Sequence, residues 1–147
     1  MVTVNYLDLT LLIVRGLLGV LMLVHGYQLL LSKVDRDILL PLMKSLNVPR
    51  VAFELAAVLA FFGGIFMILG LLTRLVAAFF IIFMVCSIAL YITKLTEAVH
   101  MGAFDYYYKS SKGYIKGWEL DTMIIAVSLI LTVLGGGVYS LDHLLNF

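Results

Sequence analysis

Residues Leu9 to Leu31 read LTLLIVRGLLGVLMLVHGYQLLL, an apolar run that nevertheless carries Arg15, His25 and Gln28. At about 1.5 Å of rise per residue, a helix over this run spans a hydrocarbon core of roughly 30 Å. A charged side chain at mid-membrane costs roughly 2.5–3.5 kcal/mol on insertion scales, so such groups need internal partners or a polar cavity. The run has no positive leader region and no small-x-small cleavage pattern, so it is read as a retained span and not a signal peptide.

Three further runs follow, at Val51–Leu72, Leu75–Ile92 and Trp118–Val138. The chain as a whole is 63% hydrophobic and 13% charged, with a mean hydropathy of +1.11, too few charges to cover a soluble domain of this size. The expected fold is all-α: a four-transmembrane-helix bundle forming one integral membrane domain over residues 1–147. The net charge of +1 and the lack of a basic stripe exclude nucleic acid as a partner. The single cysteine, Cys86, permits no intrachain disulfide and no CxxC relay, and is read as a small buried hydrophobe.

The loops set orientation. Lys33, Arg36, Lys44 and Arg50 lie in the first loop, and Lys94, Lys109, Lys112 and Lys116 in the third, against Arg74 alone on the other side. That asymmetry predicts a cytoplasmic-membrane protein with loops one and three inside and both termini outside. In the first loop Ile38, Leu39, Leu42, Met43 and Leu46 share a helical face, predicting a short interfacial helix that Asn47 and Pro49 end. Thr73-Arg74 is expected to join spans two and three in a tight hairpin. The third loop holds Phe104, Tyr106, Tyr107, Tyr108 and Tyr114, followed by Trp118; this suits either a headgroup-level aromatic belt or a platform for a bound ring. Phe53-Glu54-Leu55 precedes Leu69-Gly70 at the spacing by which Trp118-Glu119-Leu120 precedes Leu134-Gly135, a pattern open to duplication of a two-helix unit.

The ionisable residues fall into two layers. His25, Gln28, Glu54, Glu119 and Asp121 lie toward the predicted cytoplasmic ends, while Arg15, Arg74 and Asp142 lie toward the outer end. His25 and Gln28 are i and i+3, so they share a face, whereas Asp121 points away from Glu119. A histidine beside a carboxylate can exchange protons with a bound molecule, and quinone reduction needs two protons with donors at two carbonyls. The same pair can equally be an ion pair that fixes helix register. His25 and Glu119 are the candidate proton-exchanging residues, with Gln28, Glu54 and Trp118 as substrate contacts. Arg15, Arg74 and Asp142 are expected to form an ionic clamp, the alternative being an anion site. His25, His100 and His143 do not pair at matched depth, so neither metal nor haem is expected.

Several ordered segments carry a family resemblance: Arg15-Gly16-Leu17-Leu18-Gly19 with His25-Gly26-Tyr27-Gln28, then Gly63-Gly64 leading to Leu69-Gly70-Leu71-Leu72-Thr73-Arg74. Gly117-Trp118-Glu119-Leu120 and Gly135-Gly136-Gly137-Val138-Tyr139-Ser140-Leu141-Asp142 complete the set. Together they resemble the DoxX family, which implies a four-helix membrane protein and includes DoxD-type subunits of thiosulfate:quinone oxidoreductase. Arg15, His25, Gln28, Arg74, Glu119, Tyr139 and Asp142 match the family's polar pattern. Ala60 stands where the family often has a glutamate, Leu29 where a basic residue is common, and Gly136 and Val138 where proline and arginine usually occur. The resemblance implies a subunit of a quinone-linked redox complex in sulfur oxidation or oxidative stress. No intrinsic cofactor is expected: a bound quinone would be the substrate, and a partner redox subunit or a homo-oligomer would complete the assembly. The rival readings are a non-enzymatic anchoring subunit and, last, a small-molecule carrier.

Overall fold

The computed structural model describes residues 6–33, 37, 40–41, 43–44, 47–90 and 118–145, without the side chains of Leu90, Trp118 and Glu119. The third-loop aromatics and His100 lie outside the described residues. Helix α1 covers Tyr6–Leu31, α2 Arg50–Leu69, α3 Thr73–Leu90, α4 Trp118–Leu134 and the short α5 Leu141–Leu144. Among the described residues there is no strand.

Helices α1 and α2 are long and apolar enough to cross a membrane, and α3 and α4 are shorter apolar helices. Only 33% of the most apolar stretch of α1 and 28% of that of α2 is buried. Ile13, Leu17 and Val20 on α1, Val51, Leu55 and Phe62 on α2, and Ile82 and Val85 on α3 all face outward. A soluble core helix hides such residues; here they form the outer surface, which suits hydrocarbon.

Glycine decides how closely the helices approach. A Cβ on Gly19 would lie 2.8 Å from the Gly64 carbonyl oxygen, and one on Gly64 would lie 2.6 Å from the Leu23 nitrogen. A Cβ on Gly26 would collide with the Phe61 backbone. Helices α1 and α2 therefore touch backbone to backbone, as small residues allow in apolar surroundings. The neighbouring Gly63 serves a different partner, since its Cβ would lie 2.8 Å from the Phe80 ring of α3. A Cβ on Gly16, three residues before Gly19, would have nothing within 4 Å. Around these contacts Met22, Ala60, Met67, Ala77, Phe80 and Leu131 form the fully buried core.

The helix ends correct three sequence expectations. Helix α2 stops at Leu69 because Gly70 takes a left-handed conformation (φ 69), its N–H donating to Met67 O and that of Leu71 to Phe66 O. The connection to α3 is thus Gly70-Leu71-Leu72, with Thr73 already helical, and not Thr73-Arg74. The fourth helix ends at Leu134, short of Val138, because Gly135 (φ 80) and Gly137 (φ 73) leave the helical region. In the first loop Asp37, Leu40, Pro41, Met43 and Lys44 are helical. Asn47 (φ 56) ends that turn, with Asn47 N–H donating to Lys44 O and Val48 N–H to Met43 O. Cys86, expected inside, lies on an exposed face of α3.

The two halves echo each other. Helix α1 packs chiefly on α2, and α3 chiefly on α4. Arg15 of α1 lies against Gly70 at the end of α2, while Arg74 of α3 lies against Gly135 at the end of α4.

Candidate functional site

The glycine-turn end holds the most buried charge. Arg15 is 2% exposed, and its guanidinium donates to Gly136 O at 2.6 Å and also to Tyr139 O. Gly70 must be glycine beside it, because a Cβ there would lie 2.5 Å from Nη1. Asp142, just past the second turn, accepts from Leu72 N–H at 2.5 Å and Thr73 N–H at 2.7 Å. These are the first amides of α3, whose own flanking residue Leu72 has no side chain able to cap them. Asp8, 7% exposed, accepts from Val138 N–H at 3.1 Å. Ser140 donates to Gly137 O and accepts from His143 N–H, which starts α5.

Sequence reading anticipated direct pairing of Arg15 and Arg74 with Asp142. Among the described residues neither arginine forms a salt bridge with it, since the carboxylate is engaged by backbone amides and Arg15 by backbone carbonyls. The three residues do meet at one end, and the backbone of the two turns lies between them. Arg74 is exposed and covers Gly135. Asp8 was missed in the sequence because its partner amide lies 130 residues away.

Toward the other end, His25 is half-buried and meets Phe83 of α3 edge-on, with ring centroids 6.1 Å apart and planes at 70°. Phe79 stacks on Phe83 at 6.2 Å and 20°. Four residues beyond Phe83, Ser87 of α3 lies near the half-buried Asp121 of α4. Two of the remaining candidates, Gln28 and Glu54, have described side chains. Gln28 is exposed on α1. Glu54 sits 3.7 Å from Arg50 one turn earlier and shares with Arg50, Val51, Leu55 and Val58 a shallow groove of about 330 Å³ on α2. With side chains 75% and 32% exposed, that pair is a solvent-accessible contact of little energetic weight. The side chains of Glu119 and Trp118 lie outside the described residues; their backbone opens α4. Among the described residues His25 has no carboxylate partner.

A chain whose described elements are all helical, whose two longest helices are apolar on outward faces and whose buried Arg15 and Asp8 bond to backbone within the bundle, is a small integral membrane protein. The DoxX family model matches residues 10–94, which covers most of α1 and the whole of α2 and α3, and the chain belongs to the DoxX family. No curated protein and no solved structure matches the chain.

Proposed function

We propose that all four long helices cross the cytoplasmic membrane, with both termini outside, and that the chain is the membrane subunit of a quinone-linked redox complex serving sulfur oxidation or oxidative stress. The observation that carries this reading is the His25 imidazole set edge-on to Phe83, with Phe79 stacked behind it. A titratable ring beside an aromatic wall, inside an otherwise apolar bundle, suits a flat, lipid-soluble substrate that gains protons as it gains electrons. His25 gives a proton to one carbonyl oxygen. The second comes from the first turn of α4, where Glu119 and Asp121 stand. No sequence motif for a redox cofactor occurs, so electrons come from a partner subunit.

The test is quinone reduction by the purified native complex. His25→Ala lowers kcat by about 100-fold or more, the usual contribution of a positioned acid or base, while the complex stays assembled. Unchanged turnover would remove the redox role. A non-enzymatic anchoring role is the second reading, and one observation favours it: Arg15, Asp8 and Asp142 are all engaged by backbone groups in a way that braces the fold. On that reading His25→Ala releases the partner instead of slowing turnover.

A further inference from the structure

We propose that Lys44 and Arg50, with the apolar groove of α2 beneath them, form a site for one anionic phospholipid. The site is independent of the quinone reading and needs only that α2 begin at a membrane surface. Two concavities meet at Arg50. The groove on α2, of about 330 Å³, is lined by Arg50, Val51, Glu54, Leu55 and Val58. A second, of about 590 Å³, lies between the first-loop turn and the start of α2. Leu40, Met43, Val48 and Phe53 give it apolar walls, and Lys44 and Arg50 are its cations.

The polar end carries positive charge. Lys44 is exposed and the Arg50 side chain is 75% exposed, so both heads reach a headgroup layer. Arg50 also opens α2, which has no side-chain cap at Pro49, so the positive end of the helix adds to the two cations. Among the described residues lining either concavity the one carboxylate is Glu54, 3.7 Å from Arg50 Nε. A guanidinium has several N–H donors, and a contact through Nε leaves others for a phosphate. Two cations against one carboxylate leave a positive remainder, which fits a headgroup of net negative charge better than a zwitterion.

The apolar end runs into the membrane. Val51, Leu55 and Val58 fall at i, i+4 and i+7, a single stripe of α2, and all three are exposed. From Arg50 to Val58 the stripe is about 12 Å long, close to the depth of one leaflet in a hydrocarbon core of roughly 30 Å. A headgroup at Lys44 and Arg50 therefore sets its acyl chain along this stripe. A soluble anion would use the cations alone, and a neutral lipid the stripe alone. On the orientation proposed above, the site faces the inner leaflet, where juxtamembrane basic residues meet anionic lipid.

The experiment is native mass spectrometry of the full chain in detergent micelles, titrated with dioleoyl phosphatidylglycerol or dioleoyl phosphatidylcholine. The native chain should hold one phosphatidylglycerol about 30-fold more tightly than phosphatidylcholine, which corresponds to roughly 1 kcal/mol from each cation. Lys44→Gln should reduce that preference about fivefold, and the double variant with Arg50→Gln should abolish it. Lys33→Gln removes an exposed first-loop cation outside both concavities and should leave the preference unchanged. Leu55→Trp fills the groove and should weaken phosphatidylglycerol binding about tenfold, the equivalent of about two buried methylenes. All four residues are exposed, so these variants leave the packed core intact. Equal affinity of the native chain for the two lipids overturns the proposal. So does an equal loss in Lys33→Gln, which would mean diffuse attraction by the loop. An unmoved affinity in Leu55→Trp overturns it as well, since the acyl chain would then have no seat in the groove. The quinone reading is untouched by any of these results.

Discussion

Replacing Asp142 tests how the two halves of the bundle are fastened. Its oxygens accept from the amides of Leu72 at 2.5 Å and Thr73 at 2.7 Å, in the role of a helix cap supplied from 70 residues away. Hydrogen bonds to a charged acceptor contribute about 1.5–3 kcal/mol each where water cannot replace them. The Leu72 bond is exposed and the Thr73 bond partly buried. Water can therefore substitute at Leu72, and the Thr73 bond carries most of the effect. Asp142→Ala should destabilise the bundle by about 2–3 kcal/mol, close to the upper range for loss of a cap. Asp142→Asn retains one acceptor oxygen and should cost about 1–1.5 kcal/mol, roughly tenfold in the unfolding equilibrium. Reversible unfolding in mixed detergent and dodecyl sulfate micelles, followed by ellipticity, reads both values. Amide exchange should then accelerate at Leu72 and Thr73 ahead of the rest of α3. A change below about 0.5 kcal/mol in Asp142→Ala, the range of ordinary surface substitutions, would show that the carboxylate does not fasten these turns.

Other substitutions probe the remaining contacts. Gly26→Ala forces a methyl group into the Phe61 backbone and should cost about 1–3 kcal/mol, whereas Gly16→Ala meets open space and should be neutral or slightly stabilising in the same titration. Arg15→Lys cannot span both Gly136 O and Tyr139 O with one ammonium group, so a loss of about 2 kcal/mol is expected. Asp8→Ala leaves Val138 N–H without its acceptor and should lower stability by about 1–2 kcal/mol, with faster exchange at Val138 as the local readout.

Much of this architecture was legible from local pattern. The apolar runs predicted helices within a few residues of those observed, because backbone groups in hydrocarbon must be satisfied inside each segment. In the structure Gly70 and Gly135 end α2 and α4 short of the expected Leu72 and Val138, since both take left-handed conformations that other residues rarely adopt. The Thr73-Arg74 connection failed for the same reason: hydropathy does not fall at Gly70, but the backbone turns there. The expected ionic clamp located the right residues: Asp142 acts on Arg15 by charge across the turns, while the direct hydrogen bonds of both go to backbone groups. A carboxylate beside arginines suggests a salt bridge, yet unsatisfied amides at a helix start compete for it at shorter range.

The functional residues divide in the same way. His25 stood out as a titratable group inside an apolar run, but its contact with Phe83 depends on how far α1 and α2 rotate and close around Gly19, Gly26 and Gly64. Asp121 received little weight in the sequence because its position two residues from Glu119 turns it to another face of the helix. Its approach to Ser87 exists only once α4 has packed on α3.

Sequence alone determined that this chain is helical and belongs in a bilayer, and where its helices lie to within a few residues. Hydropathy and turn-forming glycines act over a few residues and need no knowledge of neighbours. Tertiary structure alone decided which backbone groups Arg15, Asp8 and Asp142 satisfy, and which ring of α3 His25 meets. Those pairings join residues more than thirty positions apart, and they follow from the angle and closeness of helix packing, which the summed contacts of the whole bundle set.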